Sequence, residues 1–148
     1  MLQCTAVTRL PIMDALVALT AMEGGPGHPP DALVDAFVLC ELAGHDETAE
    51  HASHLYTADT RDDRDLWFRW TGTGAHRVHR FDVLPLCLAE LHERHMGLAW
   101  QCLLFRDHRP RDHSFSVTDP FREAITEERQ AEERQAGERQ AGEGSAQP

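Results

Sequence analysis

The sequence predicts an α+β fold in which N-terminal helices pack on a mainly antiparallel ββαββ sheet unit, with a helical or disordered tail. Helix-like spacing of apolar residues dominates the first 58 positions, and strand-like alternation dominates positions 66–118. A third observation is the change to acidic repeats after the Asp119-Pro120 break. We therefore expect a compact domain over residues 1–118 and a low-complexity tail over residues 119–148.

The N-terminal half is predicted to hold one strand and three helices. A short strand is expected from Gln3 to Arg9, and a first helix from Pro11 to Glu23, because Pro suits a helix start. Apolar residues at helical spacing predict a second helix over Pro29–Gly44, and carboxylates in a first turn predict a third over Asp46–Tyr56. Residues 59–65 are too charged to be buried and predict a surface loop.

The second half is predicted to form the sheet. Residues 66–70 and 76–81 read as two strands joined by a glycine-rich turn. Leucines at helical spacing after Pro85 predict a helix over 85–97, and apolar residues on both faces predict an interior strand over 98–105. Strict alternation predicts a last, edge strand over 113–118.

The tail consists of short repeats of Glu, Arg, Gln and Ala from position 127 onward. These units lack the apolar face that a stacked repeat needs, so they predict a solvated helix. Residues 144–148 are expected to be disordered.

Charge limits the classes of partner. The net charge is −11, with no Lys; residues 1–65 carry twelve acids and three Arg, whereas residues 66–118 carry five acids and seven Arg. Generic binding to nucleic acid or an anionic bilayer is therefore not expected. The N-terminus has no signal-like segment and no apolar run could span a membrane, which predicts a cytoplasmic protein.

The four cysteines are widely spaced and form no C-x-x-C pair, so we interpret them as reduced, mostly buried thiols. They are Cys4, Cys40, Cys87 and Cys102. Histidines occur in three H-x-x-H pairs, of which the two predicted to be helical could chelate a metal ion. These pairs are His51/His54, His76/His79 and His92/His95. Surface histidines are the default interpretation, and the prediction contains neither a metal nor a cofactor.

The leading functional hypothesis is a non-enzymatic binding protein, of an immunity or accessory type, whose acidic surface docks a basic or neutral partner protein. The candidate partner contacts are Asp59, Asp62, Asp63, Asp65 and Trp67. Trp67 serves this role only if it is exposed; burial under the N-terminal helices is the favoured alternative.

The alternative hypothesis is a small tailoring enzyme or ligand-binding domain that holds an anionic small molecule on the cationic half. The candidate ligand contacts are Arg69, Arg77, Arg80, His92, His95 and Trp100, with Arg106, Arg109 and Arg111 as further cationic candidates. No residue is assigned a catalytic role. The same arginines could simply neutralise the acidic half of the chain.

Overall fold

The computed structural model describes residues 1–33 and 36–143, and the chain divides into two compact units, Met1–Val117 and Thr118–Pro148. Within the described residues there are two α-helices and seven strands, all paired antiparallel, in three separate sheets. The fold is therefore α+β, as predicted, but it is mostly β.

The first sheet is a small hairpin with a long excursion between its strands. Strand β1 (Val7–Arg9) pairs with β2 (Phe37–Leu39), and helix α1 (Ile12–Ala21) lies between them in sequence. Helix α1 contributes the buried residues Ala15 and Leu19 to the core.

The central sheet consists of β3 (His51–Thr57), β4 (Arg64–Thr71) and β5 (Val78–Pro85), with β4 in the middle. The predicted hairpin of residues 66–81 is present as β4 and β5. Gly72 follows β4 with φ of +73°, and a Cβ there would lie 2.7 Å from the His76 carbonyl oxygen, so this turn requires glycine.

Strand β4 is buried on both faces and forms the centre of the core. Phe68 and Trp70 lie on one face with their rings stacked at 5.3 Å, while Trp67 lies on the other and meets Phe105 edge-on at 5.1 Å. The exposed fractions of these three strand residues are at most 2%. The interior strand of the fold is therefore β4.

The third sheet is a projecting hairpin of β6 (Glu90–Glu93) and β7 (Leu98–Gln101). Every residue from Glu90 to Gln101 is exposed. We call this segment, residues 90–101, the hairpin arm.

Two of the three helices predicted in the N-terminal half are not formed in the described residues. The range Pro29–Gly44 contains a 3-10 turn at Asp31–Leu33 and strand β2, and residues 34 and 35 lie outside the described part. The range Asp46–Tyr56 contains a loop and most of β3. The Asp46 carboxylate accepts a hydrogen bond from the Thr48 amide at 2.6 Å, which makes a local turn where a helix start was expected.

The helix-centred ββαββ unit is not confirmed. Residues 85–97 hold the end of β5, strand β6 and a turn, because the main chain of this segment pairs with β7. Two leucines of its predicted stripe are exposed, Leu88 by 67% and Leu91 by 42%. Of the predicted interior strand, residues 98–101 form β7 and Phe105 makes an isolated bridge with Leu86, while the predicted edge strand holds a 3-10 turn at Ser114–Ser116.

The second unit contains helix α2 (Pro120–Glu143), in agreement with the helical tail that the repeats predict. The predicted disorder of residues 144–148 falls outside the described residues. No described helix combines the length and the hydrophobicity that crossing a membrane requires.

Candidate metal centres

All four cysteines of the chain lie in two clusters, each with two histidines. In each cluster the four ligand atoms lie within 4.8 Å of one another. The first centre consists of Cys4, Cys40, His45 and His51, and the second of Cys87, Cys102, His108 and His113. We use these two names below.

The distances in the first centre pair each thiol with a different imidazole. Cys4 Sγ lies 3.5 Å from His51 Nδ1, and Cys40 Sγ lies 3.6 Å from His45 Nε2. An isolated Cys–His hydrogen bond would explain one such pair. It does not explain why two pairs converge on one point.

The second centre repeats this arrangement atom for atom. Cys87 Sγ lies 3.6 Å from His113 Nδ1, and Cys102 Sγ lies 3.7 Å from His108 Nε2. The two imidazole nitrogens are 3.3 Å apart. In both centres the first cysteine therefore pairs with the second histidine through Nδ1, and the second cysteine with the first histidine through Nε2.

The main chain around the two cysteines of each centre is also the same. The Cys4 amide donates to the Leu42 carbonyl at 2.8 Å, and the Cys40 amide donates to Ala6 at 2.9 Å. Each acceptor thus lies two residues after the other cysteine of the pair.

In the second centre the Cys87 amide donates to Leu104 at 2.8 Å and the Cys102 amide to Ala89 at 2.9 Å. Here too the acceptors lie two residues beyond the cysteines. The two centres are therefore copies of one local motif, and each closes one of the two small hairpins.

Further hydrogen bonds orient the ligands. His45 Nδ1 lies 3.0 Å from the Asp46 carbonyl oxygen, and His108 Nδ1 lies 2.8 Å from that of Pro110. A proton on Nδ1 satisfies each carbonyl and leaves Nε2 as an acceptor that faces the thiol. The Ser114 amide donates to Cys102 Sγ at 3.4 Å, a contact that favours a thiolate.

Burial makes these groups dependent on a cation. It raises the pKa of Cys40 to about 12 and also raises the pKa of Cys87, so that without a positive neighbour these two thiols keep their protons. Burial lowers the pKa values of His51 and His108, which favours the neutral imidazole that a metal requires. A bound divalent cation would stabilise the two thiolates of each centre.

The S···N distances of both centres and the N···N distance of the second match those around a tetrahedral Zn²⁺ ion. With Zn–S of about 2.3 Å and Zn–N of about 2.05 Å, a tetrahedron has S···N edges of about 3.6 Å and an N···N edge of about 3.3 Å. The observed S···N distances are 3.5 to 3.7 Å and the observed N···N distance is 3.3 Å. A donor set of two sulfurs and two nitrogens is typical of zinc.

The metal ligands were missed in the sequence because the cysteines of each pair lie far apart. A signal was nevertheless present, since the ligands of each centre follow the order Cys, Cys, His, His along the chain. Cys40 and His51 are eleven positions apart, and so are Cys102 and His113. The expected burial of the cysteines is confirmed, since all four are buried.

The H-x-x-H pairs do not form metal centres within the described residues. Only His51 is a candidate ligand, and its partners come from outside its pair. His54 instead lies 3.1 Å from an Asp65 carboxylate oxygen. His92 and His95 lie in the exposed hairpin arm.

The predicted acidic contacts lie on and beside the loop between β3 and β4. Asp59, Asp62 and Asp63 are exposed, while Asp65 is half-buried in β4 and paired with His54. Trp67 is 1% exposed and lies in the core. This burial excludes a direct contact between its side chain and a partner.

The predicted cationic contacts are scattered. Arg69 and Arg80 lie together, but both form ion pairs with Glu50 and Asp82. Arg77 donates to the Thr8 hydroxyl at 2.9 Å.

The remaining members of that set lie on the hairpin arm, where Trp100 is 52% exposed. The structure therefore does not gather the six residues into one site.

Comparisons of the chain with protein-family models, with curated proteins and with solved structures found no match.

Proposed function

We propose that this chain is a zinc-binding protein in which two structural Zn²⁺ ions hold together a non-enzymatic binding module. The observation that carries the proposal is the repeated centre, with the same atom pairing and the same main-chain hydrogen bonds around two unrelated stretches of sequence. Chance proximity of buried thiols and imidazoles does not account for such repetition.

Four protein ligands favour a structural role over a catalytic one. A zinc ion held by two cysteines and two histidines has a complete tetrahedron, whereas catalytic zinc keeps a position for water or substrate. Six of the eight ligands are buried, and the other two, His45 and His113, are half-buried. Two thiolates neutralise each Zn²⁺ ion, which lowers the cost of burying the charge.

The two small hairpins are too short to be stable alone, which gives the metal a structural role. Strands β1 and β2 have three residues each, and β6 and β7 have four, and isolated two-stranded hairpins are marginal in water. In each hairpin a zinc ion would bind one cysteine near the end of each strand and two histidines of the segment that follows. Its binding energy would then contribute directly to folding.

Metal analysis tests this proposal. Untagged protein purified without chelator is expected to carry about two zinc ions per chain by elemental mass spectrometry, as the two donor sets require. Replacement by Co²⁺ should give the absorption of tetrahedral cobalt bound to thiolates. Metal-free protein whose intact mass shows two disulfides, or four free thiols in a fully folded chain, would contradict the proposal.

We further propose that the module binds a basic or neutral protein partner through Asp59, Asp62 and Asp63. Support comes from their exposure on one loop and from the net charge of −11. The loop is also held in place, because the Asp63 carbonyl accepts a hydrogen bond from the Leu86 amide at 3.0 Å. A cytoplasmic location agrees with the reduced thiols that zinc binding needs.

An oligolysine peptide is a direct probe of this surface. Binding should weaken with salt and should fall in the triple variant D59N/D62N/D63N, because these carboxylates supply the local field. The matched control is E127Q/E128Q/E132Q in the tail, which removes the same charge elsewhere. Equal loss in both variants would show that net charge alone attracts the peptide.

A further inference from the structure

An open pocket of about 390 Å³ lies directly beside the second centre. Three arginines line it within a stretch of six residues, 106–111. The remaining lining residues are Asp107 and three ligands of the second centre, Cys87, His108 and His113. We call residues 106–111 the arginine loop.

The arginines of this loop differ from those of the central sheet. Arg69 and Arg80 are neutralised by carboxylates, and Arg77 donates to Thr8. Arg106, Arg109 and Arg111 are exposed. Across the part of the chain that the structure describes, their guanidinium groups have neither an ion pair nor a side-chain hydrogen bond.

This concentration of positive charge is unusual in so acidic a chain. Three arginines and one aspartate, Asp107, line the pocket, and a loaded zinc centre with two thiolates is neutral. The lining residues therefore carry a net positive charge of about two, which attracts an anion. Many acids elsewhere in the chain could have paired these arginines, yet the described ones do not.

The arginine loop is also held in one conformation. The Arg106 amide donates to the Pro85 carbonyl at 2.8 Å, and His108 Nδ1 bonds the Pro110 carbonyl at 2.8 Å. Zinc bound by Cys102, His108 and His113 would hold the chain before the loop, within it and after it; this step rests on the proposed function. A site held in this way loses little entropy when it binds a ligand.

We propose that this pocket binds a small molecule bearing a phosphate group. Guanidinium groups match phosphate oxygens with pairs of parallel hydrogen bonds, and several of them together neutralise a doubly charged anion. The volume suits a small ligand. The strong net negative charge of the chain disfavours a long nucleic acid as the occupant.

The proposal is tested with inorganic pyrophosphate, titrated calorimetrically into the zinc-loaded full chain. Saturable binding that weakens with salt is expected. The variant R106Q/R109Q/R111Q should bind at least about tenfold more weakly, because it lacks all three charged donors. The matched control R94Q/R129Q/R134Q removes the same charge from the hairpin arm and the tail, and should bind within about twofold of wild type.

Zinc content measured on the same samples separates the two proposals. Wild-type affinity in a pocket variant that keeps both zinc ions overturns the phosphate site and leaves the zinc centres standing. Arginine-dependent binding of a single-stranded oligonucleotide without binding of pyrophosphate also overturns it. Absence of zinc from a folded wild-type chain refutes the proposed function instead, whether or not pyrophosphate binds.

Discussion

Trp67 and Trp70, three positions apart on β4, lie on opposite faces of the central sheet, and each leads to a different metal centre. The Trp70 ring lies 5.2 Å from the imidazole of His51 in the first centre. The Trp67 ring lies 5.1 Å from Phe105, whose ring is 6.2 Å from His108 in the second centre. Two series of aromatic contacts, one on each face of β4, therefore connect the core with the two candidate zinc sites.

Zinc removal should consequently expose the tryptophans of β4. Treatment of the zinc-loaded chain with a strong chelator is expected to shift Trp fluorescence to longer wavelength and to lower Tm by more than about 10 °C, because structural zinc contributes to folding. Re-addition of zinc should reverse both changes. An unchanged emission maximum and Tm after complete zinc removal would mean that the core is independent of the centres.

Single ligand substitutions should remove one ion each. Cys40→Ser and Cys102→Ser are each expected to reduce the zinc content from about two ions per chain to about one, because the centres share no ligand. Stability should fall by about 3 kcal/mol or more in each variant. His92→Ala, a histidine of the exposed hairpin arm, is the control and should keep both ions. Loss of both ions from each cysteine variant would indicate that the centres fold only as a unit.

Replacement of a buried tryptophan should destabilise the chain far more than replacement of an exposed one. Trp70→Ala should destabilise the chain by about 3–5 kcal/mol in chemical denaturation, because a ring that is 2% exposed leaves a large cavity. Trp100→Ala should cost about 0.5 kcal/mol or less, since that side chain is 52% exposed. Similar costs for both variants would show that the hairpin arm is covered in solution.

The ion-pair network on the central sheet should contribute measurably to stability. Arg69 has 18% side-chain exposure and forms ion pairs with Glu50 and Asp82, and its guanidinium lies 5.1 Å from the Phe105 ring. Arg69→Met should cost about 1–3 kcal/mol, because two partly buried carboxylates then share only Arg80. A double-mutant cycle with Glu50→Gln isolates the pair energy, and Arg94→Met on the exposed arm is the control. A coupling energy near zero would remove the network as a stabilising feature.

The elements that the sequence predicted well are those in which local chemistry decides. Helix α1 follows a proline and has helical spacing, and the hairpin of β4 and β5 turns at a glycine with positive φ. The tail repeats have strong helix propensity, and α2 is present. In each case a short stretch of sequence contains the determining interactions.

The predictions failed where distant residues decide the backbone. The leucines after Pro85 have helical spacing, but Cys87 and Cys102 are held together by paired amides, which makes the intervening chain a hairpin. The segment before Cys40 pairs with β1 for the same reason. The helical spacing of apolar residues does not reveal that Cys4 meets Cys40, 36 positions away, or that Cys87 meets Cys102, 15 positions away.

The sequence by itself determined the α+β class, the burial of the cysteines, the charged loop before β4 and the acidic tail. Only the tertiary structure decided which thiols meet which imidazoles, and that Arg106, Arg109 and Arg111 gather beside the second centre while Arg69 and Arg80 are neutralised. The physical reason is that a metal centre depends on distances between atoms. Those distances are set by strand pairing across the fold, which residue types and local spacing do not specify.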